Sequence, residues 1–185
     1  MNPSIIKQSM LIIAGLLLLA GCNVRAPQLD MARQVVPQGG SSVDVEQFAW
    51  QLTFNDTEAR LYAITVGSGI VFANEHGLEV AFDGWDVVVV SGMPGTLGMI
   101  RVDKSSDPRI HHVQGLDQSF EVACEAPRQA GGGWRQRCQH EGDDRVYAMN
   151  HAIDVNRAGR ITRIEASLIP GVGPLVLTPL FDVEE

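Results

Sequence analysis

From Val45 to the carboxyl end, apolar residues recur at a period nearer two than 3.6, in short runs each closed by turn-forming residues. A period of two sets one face of a run against a core and the other towards solvent, which is the pattern of a half-buried strand. Phe48 to Phe54 alternates and meets Asn55-Asp56, and Glu58 to Val66 follows and meets Gly67-Ser68-Gly69. Ile70 to Ala73, Leu78 to Phe82 and Trp85 to Val90 come next, parted by Glu75-His76-Gly77 and by Asp83-Gly84, a dipeptide suited to a tight hairpin turn. Val87-Val88-Val89-Val90 breaks the alternation and predicts a strand covered on both faces. After an irregular stretch from Lys104 to Pro108, further runs occupy Gln118 to Ala126, Trp134 to His140, Arg145 to Val155, Arg160 to Ile169 and Leu175 to Thr178. Asn156-Arg157-Ala158-Gly159 forms a four-residue turn between two of them. Turn signals about 8–12 residues apart predict a mainly β fold, a single antiparallel β-sandwich or barrel-like domain over residues 44–185.

The amino-terminal segment has a different character. Residues 1–21 hold one cation, Lys7, and an apolar stretch from Met10 to Ala20, 11 residues long. A bilayer core needs about 20 residues, so the stretch fits a cleavable secretory leader better than a membrane span. Its end, Leu19-Ala20-Gly21-Cys22, resembles the lipobox of bacterial lipoproteins. That resemblance implies diacylglycerol on the Cys22 thiol, cleavage before it and a lipid-anchored mature chain of 164 residues. Asn23 after the cysteine favours, by likeness to enterobacterial lipoproteins, the outer membrane over the inner one. Pro27, Pro37, Gly39-Gly40 and Ser41-Ser42 then mark residues 22–43 as acylated cysteine and tether. A flexible coil of that length reaches about 25 Å.

Charge narrows the partners. The chain carries −8 formally, and loss of the leader with Lys7 makes it −9. With no basic excess there is no counterion release to hold nucleic acid, and an anionic lipid surface repels the body. Membrane attachment therefore falls to the lipid on Cys22.

Two cysteines remain, Cys124 and Cys138, in neighbouring strand candidates joined through Gly131-Gly132-Gly133. In a secreted chain they form a structural disulfide closing a loop of about 15 residues, worth about 3 kcal/mol by loop entropy. The alternatives are two free core thiols or a metal pair with His140.

Signatures of catalysis are scarce. The sequence has no Gly-x-Ser-x-Gly elbow, phosphate loop, dinucleotide fingerprint or His-Glu-x-x-His helix. His111-His112 is its most metal-like pair, but neighbours in a strand point to opposite faces. Asp103, Asp107, Asp117, Glu141, Asp143 and Asp144 offer acid–base couples only by accident of abundance, and a solvated surface is their ordinary use. Trp50, Trp85 and Trp134 are core residues in the plain reading and a sugar-stacking platform in the functional one. No catalytic residue, metal or cofactor is expected.

The body resembles the YjbF/GfcB family of lipoproteins associated with exopolysaccharide and group 4 capsule. Phe48 to Val66 is similar to that family's early hairpin. Gly77 to Pro94, with its Asp83-Gly84 turn and Ser91-Gly92-Met93-Pro94 ending, resembles the strand pair that follows. Asp107-Pro108 falls where family members often have such a dipeptide, and Tyr147 to Thr178, with Pro170-Gly171-Val172-Gly173-Pro174, resembles the closing hairpin and last strand. Departures occur at Ala148 to His151, at Arg160 to Arg163 and in the Cys124/Cys138 pair. The resemblance implies a non-enzymatic, outer-membrane-anchored periplasmic lipoprotein that assists polysaccharide production or export, with export proteins or glycan as partners. The alternatives are a barrel-like lipoprotein holding an apolar or sugar ligand, and a glycan hydrolase with paired carboxylates.

Overall fold

The computed structural model describes residues 48–95 and 97–181; the leader 1–21, Cys22 and the tether to residue 43 lie outside the described residues. The first eight strands are β1 (Ala49–Phe54), β2 (Thr57–Val66), β3 (Gly69–Ala73), β4 (Glu79–Phe82), β5 (Val87–Ser91), β6 (Ile100–Asp103), β7 (Arg109–Val113) and β8 (Gln118–Cys124). Seven more follow: β9 (Arg128–Ala130), β10 (Gly133–Gln136), β11 (Cys138–Glu141), β12 (Val146–Ala148), β13 (His151–Val155), β14 (Ile161–Ala166) and β15 (Leu175–Pro179). All join one sheet in the order β12-β11-β8-β7-β6-β5-β4-β3-β2-β1-β15-β14-β13-β10-β9. Every pairing is antiparallel, and the sheet curls into a half-barrel, in agreement with the barrel-like β body expected from the period-two pattern.

Three bent strands join the two ends of that order. Arg137 alone separates β10 from β11, and Met149-Asn150 separate β12 from β13. Gly133 lies opposite Asp154, Gln136 opposite His151, Gln139 opposite Ala148 and Glu141 opposite Val146. The paired position numbers keep a constant sum, so one hairpin register runs unbroken through both halves. β8 and β9 form the third bent strand, with Cys124 opposite Cys138 but Ala130 opposite Gly133, one residue out of step. Glu125-Ala126-Pro127 takes up the slip against Gln136-Arg137, and the Glu125 N–H donates to the Arg137 carbonyl at 2.8 Å. Each bent strand has one half at either end of the strand order, so the ends meet.

The inward faces fill the space enclosed. Trp50, Phe54, Phe72, Phe82, Leu61, Ile100, Ile164 and Leu177 are all buried in one cluster, and Trp50 meets Phe72 edge-on at 5.0 Å. Removal of this apolar surface from water is the main stabilising term for such a sheet.

Turns agree with their residues. Asn55 takes a left-handed φ of 51° in the two-residue link between Phe54 and Thr57. Asn156 accepts the N–H of Arg160 on its side chain and that of Gly159 on its carbonyl, closing the four-residue turn. Gly133, the last of the three glycines that reverse the chain, is fixed by crowding: a Cβ there would lie 2.0 Å from the Ile153 carbonyl oxygen.

Two expectations change. Val87 and Val90 are buried while Val88 and Val89 are half-buried, so the valine run is not covered equally on both faces. Its cause is a bulge: Ala81 pairs with Val89 but Phe82 with Val87, and the extra residue Val88 shifts the inward phase. In addition, β6, β7 and β9 form outside the expected runs: β6 alternates but is only four residues long, and β7 and β9 are mostly polar.

Candidate functional site

Where the two ends of the sheet meet, the interior contains charge. Asp83, at the end of β4, accepts the N–H groups of Trp85 and Asp86 on one carboxylate oxygen, at 3.0 and 2.9 Å. This Asx-type turn swings Asp86 inward, and its side chain is 4 % exposed. Lys104, at the end of β6, ion-pairs with Asp83 and reaches Asp86 at 3.2 Å; Arg109 of β7 donates to Asp86 at 3.2 Å and to Gln136 at 3.0 Å. Gln136 in turn donates to the Glu125 carbonyl at 2.8 Å, tying the cluster to the bulge between β8 and β9.

Two buried imidazoles flank this carboxylate. His111 directs Nδ1 at the Leu168 carbonyl, 2.9 Å away, so Nδ1 carries the proton and Nε2 is the lone-pair nitrogen. His151 of β13 is 5 % exposed; its Nδ1 lies 3.8 Å from Asp86, too far for a hydrogen bond, and neither ring nitrogen has a partner among the described residues. The ring centres are 6.4 Å apart.

The electrostatics follow from burial and pairing. Burial alone would raise the Asp86 pKa, but the neighbouring His151, Arg109 and Lys104 together hold it below the usual carboxylate range. Burial pushes His151 down to about 4 despite the opposing pull of Asp86. His151 is therefore neutral near pH 7, where Arg109 and Lys104 keep Asp86 ionised. Burial lowers His111 as well, partly offset by its bond to Leu168, while the bonds to Asp83 and Asp86 outweigh burial and raise Lys104.

Outside this cluster, the same bent hairpin carries a polar trough. Gln136, Cys138, Met149, His151 and Ile153 turn inward, whereas Arg137, Gln139, Ala148 and Asn150 on the same strands are exposed. Two grooves of about 490 Å³ each lie on that outer face and share Glu125, Arg137 and Asn150 as a common wall. The second groove is lined by Arg128, Arg135, Arg137 and Arg163, with Glu125 and Glu165 as its acids. Its lining is thus net positive on a chain of net charge −8. Arg128 pairs with Glu125 at 3.4 Å, Arg135 with Asp154, and Arg163 with Glu165. Arg137 is exposed, and no carboxylate among the described residues pairs with it.

The residues singled out in the sequence fare differently. Cys124 and Cys138 are joined by a disulfide across β8 and β11, which removes both the free-thiol and the His140-metal alternatives. His140 instead bonds the Glu121 carbonyl at 2.8 Å and stacks near Tyr147; the imidazole beside the sulfurs is His151. His111 and His112 point to opposite faces, His112 meeting Ser119 at 2.8 Å. Trp50 is core, and Trp85 and Trp134 meet edge to face at 5.2 Å, beside Arg135 and His151. Asp103 sits at the surface and accepts the Ser105 N–H, which holds its pKa down.

The sequence reading missed Asp86, Lys104, Arg109, Gln136 and His151. One signal was present: Asp86 directly precedes the unbroken valine run Val87 to Val90, where an acid must be paired. No family model, curated protein or solved structure matches the chain.

Proposed function

We propose that this protein is a non-enzymatic lipoprotein, anchored to the outer membrane through Cys22 with its body in the periplasm, that assists production or export of an extracellular polysaccharide. The observation that carries the reading is the trough beside the bent hairpin, a polar, arginine-lined groove of about 490 Å³ on an otherwise acidic body. Such a surface suits a polar chain or a protein partner that travels past it. Asp86 and its cations are already mutually satisfied inside the sheet, a structural use of charge. The lipobox Leu19 to Cys22 and the Pro/Gly/Ser tether support placement as the working principle: the lipid fixes one end, and the tether of about 25 Å lets the body search near the membrane. The resemblance to the YjbF/GfcB family supplies the polysaccharide.

Deletion of the gene in a strain that makes surface polysaccharide tests this. The expected result is a clear loss of surface polysaccharide that the intact gene restores. Unchanged polysaccharide under producing conditions contradicts the proposal.

A further inference from the structure

We infer that the trough over β9, β10, β13 and β14 binds a sugar chain bearing spaced carboxylates, with Arg137 and Arg163 as its carboxylate-reading residues. The inference rests on the polysaccharide reading above and adds the chemistry of the chain that is bound.

The groove has the size and the floor for such a chain. At about 490 Å³ it falls within the range of small-molecule sites, enough for a few sugar rings of a longer chain. Ala126, Ala130 and Ala152 lie along it and keep its floor shallow, and Glu125, Arg137 and Asn150 are shared with the neighbouring groove over Ala123, Gln139 and Ala148, so a chain can pass from one to the other. One continuous register, a disulfide and a buried ion-pair cluster hold the bent hairpin beneath it. A groove on a rigid base loses little conformational entropy when it binds.

The charges select the ligand. A guanidinium presents five N–H donors in a fixed fork that matches a carboxylate. Arg163 pairs with Glu165 through one terminal nitrogen and lies 4.0 Å from Asp154 through the other, so it offers a ligand only its remaining donors, whereas Arg137 has no carboxylate partner among the described residues. A neutral sugar leaves the charge of Arg137 unanswered. A dense polyphosphate brings charge past Glu125 and Glu165 as well as past the arginines, whereas a sugar whose carboxylates are spaced can keep its charge to the arginines. A carboxylated sugar satisfies both kinds of residue, since its acid groups accept from the arginines and its hydroxyls donate to the glutamates.

Isothermal titration of the acylated protein in detergent tests this, with an α-1,4-linked galacturonate hexamer, the neutral cellohexaose and a short polyphosphate as probes. Saturable binding of the acidic hexamer is expected, at least tenfold tighter than either of the others. Arg137→Gln weakens it about tenfold, and Arg137→Gln with Arg163→Gln removes it. Both side chains lie at the surface of the sheet, and circular dichroism checks that the variants keep their strands. No binding of the acidic hexamer, equal binding of cellohexaose, tighter binding of polyphosphate, or an unaffected Arg137→Gln variant each overturns the inference. Any of these results together with loss of polysaccharide on gene deletion removes the trough but leaves the polysaccharide reading standing.

Discussion

The buried residues Asp86 and His151 respond to acid in the same direction. His151 has a folded pKa of about 4 against an ordinary value of 6.5, so between those values the unfolded chain binds the proton that the folded one refuses. Stability therefore rises with pH across that window and is lost on acidification, by about 3 kcal/mol for this residue. His111 adds to it with the same sign, since burial lowers its pKa too. Asp86, held below 3.8, contributes stability above its unfolded pKa that disappears as pH falls through the folded value. Urea unfolding of a His151→Gln variant is expected to show a shallower loss of stability between pH 6.5 and 4 than the parent; parallel curves would sink this assignment. Little of this cluster was legible in the sequence. Its members come from the ends of β4 and β6 and from β7, β10 and β13, and only the curl of the whole sheet places His151 near Asp86. The disulfide was legible, because it joins register neighbours in adjacent strands separated by one glycine-rich reversal.

Individual strands were read well wherever the period stayed at two. β1 from Trp50, β2 as far as Ala63 and β3 alternate, and turn residues with the right conformations stand at their ends. The reading failed at bulges, where one extra residue moves the inward phase. Val87 and Val90, three apart, both face the core, and so do Ile161 and Ile164 on β14, where Asp154 pairs with Arg163 but Val155 with Ile161. It also failed to divide 134–140 and 145–155, because a continuous register hides the bend at Arg137 and at Met149-Asn150. The Cys124–Cys138 bond ties β8 to its antiparallel neighbour β11 beside the bend. Replacing both cysteines by alanine is expected to lower unfolding free energy by about 3 kcal/mol. The check is the urea midpoint with and without reductant: the parent with reductant should approach the variant, and a variant as stable as the oxidised parent would contradict the role assigned to the bond.

At the scale of the whole molecule, architecture was legible and closure was not. Repeated short strands and turns dictate a single antiparallel body, but nothing local announces that three long strands bend to join the two ends of a 15-stranded order. The closure gives the body its buried charge cluster on one side of the hairpin and its arginine trough on the other. In the proposed function, the lipobox Leu19 to Cys22 sets the address and the address is the basis of action, with the body working from a lipid on Cys22. The most direct measurement is complementation of a deletion strain with residues 23–185 behind a conventional cleavable leader, which yields the same body in the periplasm without its lipid. Surface polysaccharide is quantified against the wild-type gene, with formation of the Cys124–Cys138 bond as the control for folding. The expected result is a folded, soluble periplasmic body that fails to restore the polysaccharide. Full restoration by the unanchored body would contradict it.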